Sequence, residues 1–154
     1  MLGLNNSGKS SILYRLKLGT HLPNLPTTIG FNNETIVFKN LKCHVWDVGG
    51  QKRFRFLWKH YTSDTQAIVW VVDTDFEESG ACLQDILGDE DTDGEIPVLV
   101  LWNEKFNGVE VGREVVENAL HLTNLTRPWH LQPCSAKTGQ GLKQGMEWLR
   151  KQLF

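Results

Sequence analysis

The octet Gly3-Leu4-Asn5-Asn6-Ser7-Gly8-Lys9-Ser10 limits the possible folds more than any other stretch of the chain. It matches the pattern G-x-x-x-x-G-K-[ST]. Glycines let the backbone turn tightly and aim successive N–H groups into a nest, which at a helix N-terminus suits phosphate oxygens. In such a loop Lys9 reaches the β- and γ-phosphates. Ser10 gives its hydroxyl to Mg²⁺, a hard cation that takes oxygen ligands. The candidate phosphate contacts are Gly3, Asn5, Asn6, Ser7, Gly8, Lys9, Ser10 and Ser11. An accidental glycine-rich turn is the alternative. The next residues weigh against it, because Ile12, Leu13 and Leu16 recur on one helical face. A loop of this kind normally follows a buried strand, yet only Met1 and Leu2 precede Gly3. So short a first strand leaves open edges on its neighbours. The expectation is a domain truncated at its N-terminus that is marginally stable or borrows a strand.

At 154 residues the chain fits one domain, residues 1–154, large enough to bury a core without disulfides or metals. A net charge of −2 and the lack of any Lys/Arg run give no electrostatic case for nucleic acid or a membrane surface. Cys43, Cys82 and Cys134 are odd in number and lack C-x-x-C spacing, so they are expected to be reduced packing residues in a cytoplasmic setting. No apolar run is long enough to span a bilayer, and no secretory signal opens the chain. Leu2 is not the glycine of a myristoylation signal, and the last five residues, Arg150 to Phe154, offer no cysteine for prenylation, so no lipid anchor is expected. His21, His44, His60, His121 and His130 have no metal-ligand spacing and read as surface or packing residues.

Past a loop from Gly19 to Pro26, Phe31–Lys39 and Leu41–Asp47 are rich in β-formers on either side of Asn40 and predict a hairpin. Gln66–Asp73 and Ile96–Trp102 are nearly continuous apolar runs, as strands covered on both faces would be. Trp129–Ser135 is a shorter third. Helical patterns separate them: Glu78–Leu87, weakened by Gly80; Glu114–Leu122; and Gly141–Leu153, with Leu142, Met146, Leu149 and Leu153 on one stripe. The acidic stretch from Asp89 to Glu95 reads as a solvated loop. Strands alternating with helices imply an α/β domain with a largely parallel central sheet and helices on both faces.

Trp46-Asp47-Val48-Gly49-Gly50-Gln51 is the second strong motif. An aspartate at a strand end followed by two glycines can hold a Mg²⁺-bound water and let a backbone N–H approach a γ-phosphate, with Gln51 then orienting an attacking water. A plain strand end running into a glycine turn is the alternative. It leaves the pairing with the phosphate loop unexplained.

Together the phosphate loop, this motif and Thr28-Ile29-Gly30-Phe31 resemble the ADP-ribosylation factor (Arf and Arf-like) branch of the small GTPases. Leu13-Tyr14-Arg15-Leu16-Lys17-Leu18-Gly19, Leu57-Trp58-Lys59-His60-Tyr61 and Val71-Val72-Asp73 extend the likeness over nearly the whole chain, thinning between residues 75 and 130. The resemblance implies a small P-loop G-domain that alternates between GTP and GDP. It is served by an exchange factor and an activating protein, recruits effectors, and hydrolyses slowly because no arginine is evident in cis. It places Thr28 in switch I, with Ser10, Thr28 and, through water, Asp47 around Mg²⁺. Switch II runs from Asp47 to about Tyr61, Gln51 is catalytic, and both switches are held by γ-phosphate and released on hydrolysis. Phe31, Trp46 and Tyr61 match the family's effector-facing aromatic trio; on residue type alone each is equally a core residue. Asn103, Lys105, Ser135, Ala136 and Lys137 are the further nucleotide-binding candidates, Asn103 matching the family's asparagine and Ser135-Ala136-Lys137 the element whose backbone contacts the base. In relatives a lipid-modified amphipathic helix upstream of the loop contacts the membrane, and this chain lacks it.

Four departures stand out. Asn5 replaces a common Asp, Thr27 stands where proline usually precedes the switch threonine, and that loop is one residue longer. Most consequential is Asn103-Glu104-Lys105-Phe106 in place of Asn-Lys-x-Asp. Buried hydrogen bonds to a base discriminate by roughly 10⁴ or more, and Phe106 has no acceptor to make them. Guanine selectivity is therefore expected to be impaired. Phe106 either stacks on a purine or packs under its loop, while Ser135-Ala136-Lys137 is retained. The alternative to a switch is a degenerate scaffold with weak, base-unselective or no nucleotide binding. Nothing beyond the loop itself argues for an ATP-using enzyme.

Overall fold

The computed structural model describes residues 1–104 and 110–154. Its elements in chain order are β1 (Leu2–Gly3), α1 (Lys9–Leu18), β2 (Phe31–Phe38), β3 (Leu41–Val48), a 3₁₀-helix (Lys52–Tyr61), β4 (Ile68–Val72), α2 (Phe76–Leu87), β5 (Val98–Asn103), α3 (Arg113–Ala119), a 3₁₀ turn (Leu122–Asn124), β6 (Trp129–Cys134) and α4 (Leu142–Leu153). The apolar runs become the centre of a parallel sheet of order β1-β4-β5-β6, and β2 and β3 form the antiparallel hairpin. The first strand is as short as the sequence implies. Leu2 and Gly3 pair with Trp70 and Val71 of β4. Met1 links the two sheets, its nitrogen donating to the Trp46 carbonyl at 2.7 Å and its carbonyl accepting from the Val48 N–H at 3.3 Å.

Alternation along β5 explains why helices cover both faces. Leu99 and Leu101 pack with Ile12 of α1 and Leu142 and Leu149 of α4, while Val98 and Val100 pack with Leu83 and Ile86 of α2 and Val116 of α3. These four β5 side chains are fully buried, and each such burial stabilises the fold by about 1.5–3 kcal/mol.

α2 runs through Gly80 without a break. A Cβ there would lie 2.1 Å from the Ala119 carbonyl oxygen, so glycine is what lets α2 and α3 approach. Asp75 caps the helix, its carboxylate accepting from the Glu78 N–H at 3.2 Å. The helix expected over Glu114–Leu122 stops at Ala119, because His121 takes a left-handed φ of 54° before the 3₁₀ turn. All three cysteines are free, and burial pushes the Cys134 thiol up to about 12, which keeps it a protonated packing group. Among the described residues no helix is long and apolar enough to cross a membrane.

Candidate functional site

β1 leads directly into the loop. Gly3, at φ 152°, has no room for a side chain, since a Cβ would meet the Val71 carbonyl oxygen at 2.2 Å. Gly8 caps α1 at φ 96°, where a Cβ would fall 2.3 Å from Asn103 Nδ2. No side chain caps this N-terminus and no acidic residue lies in its first turn, which leaves its N–H groups and positive dipole end suited to an anion. Lys9 is buried at 6% exposure, its ammonium donating to the Leu4 carbonyl at 2.9 Å.

Beside it three oxygen-bearing side chains from separate segments converge. Ser10 Oγ and Thr28 Oγ1 share a hydrogen bond of 2.8 Å, and the Ser10 hydroxyl also donates to Asp47 Oδ2, which lies 3.5 Å from Thr28 Oγ1. Asp47 is wholly buried, and its second oxygen, Oδ1, has no hydrogen-bond partner. Burial pushes its carboxyl above the usual carboxylate range, opposed by the Ser10 bond and the Lys9 charge. A buried carboxylate with an unsatisfied oxygen beside two hydroxyls is a hard-cation donor set, and it fits Mg²⁺ completed by phosphate and water. Among the described residues no cluster of three or more His, Cys, Asp or Glu offers a metal site.

Gly49 and Gly50 join these parts. A Cβ on Gly49 would meet the Thr28 carbonyl oxygen at 2.6 Å, and one on Gly50 would meet Leu4 C, Asn5 N and Gly3 O within 2.4–2.5 Å. The turn after β3 is therefore pressed between the Thr28 loop and the phosphate loop, so displacement of one is felt by the others. On the far side Asn103 donates to the Ser7 carbonyl at 3.0 Å and accepts from the Ala136 N–H at 3.1 Å, tying the loop after β6 to the phosphate loop.

These segments surround a cavity of about 670 Å³, within the range of small-molecule sites. Of the residues expected from sequence, Asn5, Asn6, Gly8, Lys9, Ser10, Ser11, Thr28, Gly50, Asn103, Ser135, Ala136 and Lys137 line it. Gly3, Ser7 and Asp47 are outside the lining, Ser7 and Asp47 being fully buried. Gln51 does not line it either; its Oε1 accepts from Arg53 Nε at 3.0 Å. Lys105, and Phe106 with its stacking or packing role, lie outside the described residues. The lining adds His21, Leu25, Pro26, Thr27, Glu104 and Thr138. Thr27, Glu104 and Thr138 adjoin Thr28, Asn103 and Lys137 in sequence, whereas His21, Leu25 and Pro26 carry no signal beyond belonging to the loop that leads to Thr28.

Phe31, Trp46 and Tyr61 form one group, with ring centroids 5.3–5.5 Å apart. Phe31 is 51% and Trp46 39% exposed, with Ile29 and Phe56 also exposed, while Tyr61 is half-buried and packs against the core, so two rings of the trio lie at the surface on a third that is rooted in the core.

The ADP-ribosylation factor family model matches residues 1–153. ADP-ribosylation factors K and J of Dictyostelium discoideum are 43% and 41% identical, each alignment covering 99% of this chain and 83% of the relative. The fold is similar to that of the Arl6 BBS3 small GTPase from Trypanosoma brucei, solved with the bound nucleotide analogue GppNp. The TM-score is 0.85 at 28% identity, covering 99% of this chain and 94% of the other.

Proposed function

This chain belongs to the ADP-ribosylation factor family, and we propose that residues 1–154 act as a single G-domain that binds GTP and GDP with Mg²⁺ and works as a molecular switch. The observation that carries this reading is the convergence of Ser10, Thr28 and Asp47 beside the buried Lys9. A chain with no use for a triphosphate has no reason to bury a carboxylate with an unpartnered oxygen next to two hydroxyls and a lysine. Mg²⁺, when bound, would supply positive charge to the phosphate oxygens. The α1 N-terminus and Lys9 would hold those phosphates, and Ser10, Thr28 and, through water, Asp47 would hold the cation. Thr28 and Gly50 each stand on a loop that the γ-phosphate would fix. Loss of that phosphate releases both loops and changes the surface around Phe31, Trp46 and Tyr61, through which effectors are recruited.

Hydrolysis by the isolated chain is slow in this reading. Gln51 must leave Arg53 before its amide can orient a water, and no arginine lines the cavity among the described residues. An activating protein that supplies an arginine meets the second need. Asn103 spends its amide on the Ser7 carbonyl and the Ala136 N–H, which is occupied in the same bond, so base recognition falls to what remains of the Ser135-Ala136-Lys137 backbone, with Glu104 at the cavity wall. That favours relaxed purine choice. The second reading, a scaffold without turnover, draws on the same base region.

Titration of fluorescent GTP, GDP and ATP with Mg²⁺ tests the proposal. Binding far tighter than millimolar is expected, with GTP and ATP within about tenfold rather than the roughly 10⁴ of a base-reading pocket. No nucleotide binding by the folded chain overturns the switch, and strong guanine preference overturns relaxed base choice.

A further inference from the structure

We infer that Arg15 is a positioning residue for base recognition, an inference that rests on the nucleotide reading above. Arg15 lies on α1 beyond the phosphate loop and reaches the loop that follows β6. Its Nη2 donates to the Thr138 carbonyl at 2.6 Å and its Nη1 to the Lys137 carbonyl at 3.3 Å. A planar guanidinium is suited to bridging two successive carbonyls in this way. A second observation points to the same contact. Gly139 sits at φ 82°, and a Cβ there would fall 2.7 Å from Arg15 Nε and 2.9 Å from Nη2, so glycine is what lets the guanidinium lie against the loop.

The loop is otherwise held from within and from one side. The Gly139 N–H donates to the Ser135 carbonyl at 2.7 Å, the Thr138 N–H to Ser135 Oγ at 3.1 Å, and the Ala136 N–H to Asn103 at 3.1 Å. Arg15 supplies the second side. Because α1 presents its N-terminus to the phosphates and Arg15 to this loop, one helix sets the distance between phosphate and base contacts. That matters more here than where a carboxylate reads the base, since the sequence has Phe106 at that position and what recognition remains falls on the Ser135-Ala136-Lys137 loop. Arg15 touches neither phosphate nor base in this scheme. It acts through Lys137 and Thr138.

Calorimetric titration of GDP and of inorganic tripolyphosphate, each with Mg²⁺, into wild type, Arg15→Ala and Arg15→Lys tests this, with a thermal melt to check folding. Arg15→Ala should weaken GDP about tenfold, the order expected for losing a charge-assisted hydrogen bond. Tripolyphosphate, which uses only the phosphate side, should change by less than about twofold. Arg15→Lys should fall between, because an ammonium lacks the fork. Equal losses for both ligands, or GDP binding unchanged in Arg15→Ala, overturns the inference. Wild type that binds neither ligand overturns the nucleotide reading and this inference with it.

Discussion

Lys9→Ala is expected to weaken triphosphate binding about a thousandfold while the protein stays folded. Lys9 is almost fully buried at the start of α1, with its ammonium 2.9 Å from the Leu4 carbonyl. From there it can add phosphate oxygens without crossing solvent. Removing one partner of a buried charged pair costs about 2–5 kcal/mol, much of it the penalty of leaving the other charge unpaired. Without nucleotide there is little to lose, because the substitution also removes the desolvation cost of a buried cation and alanine is the best helix former. Titration alongside circular dichroism separates the two effects. A variant that binds within tenfold of wild type would remove Lys9 from the phosphate site.

Trp58→Ala should destabilise the fold by about 4 kcal/mol, the range of a fully buried large-to-small truncation. Trp58 is 2% exposed and packs edge-on against Trp70, with centroids 5.5 Å apart at 89°. Its indole N–H donates to the Gly49 carbonyl at 3.0 Å. The side chain therefore anchors the 3₁₀-helix Lys52–Tyr61 to the core and to the glycine turn beside the phosphate loop. Trp58→Phe keeps much of the ring packing and loses the hydrogen bond, so a smaller loss of about 1–2 kcal/mol is expected. Urea denaturation of the three proteins reads both. Equal midpoints for wild type and Trp58→Ala would show that this ring does not hold the segment.

What the sequence made legible follows from how local each cause is. The runs of β4 and β5 are apolar because both sheet faces are covered, which leaves a continuous signal. The phosphate loop and the Asp47 turn are specified by their own backbones, so both could be located in the sequence, and Asn5, Asn6, Gly8, Lys9, Ser10, Ser11 and Gly50 line one cavity. The 3₁₀-helix carried no such signal. Lys52 to Tyr61 lacks a side-chain cap, and its order comes from distant partners: Trp58 on Gly49, and Arg55, which donates to Glu78 at 2.7 Å and to the Gly50 carbonyl at 3.2 Å. The same holds for Arg15, whose partners Lys137 and Thr138 lie more than a hundred residues away. For Gln51 the motif gives the place in the chain but not the rotamer, which Arg53 decides. At Gly80 the sequence showed a weak helix former but not its reason, because a helix propensity takes no account of a neighbouring helix whose carbonyl oxygen would lie 2.1 Å from an added Cβ.

Hydrogen exchange on the Mg²⁺ complexes with GDP and with a non-hydrolysable GTP analogue tests the switch most directly. The account predicts slower exchange in the triphosphate complex at residues 27–30 and 49–61, the two segments that meet where Gly49 abuts Thr28 and Gly30, with β4 and β5 unchanged. Identical exchange of both segments in the two complexes would contradict it.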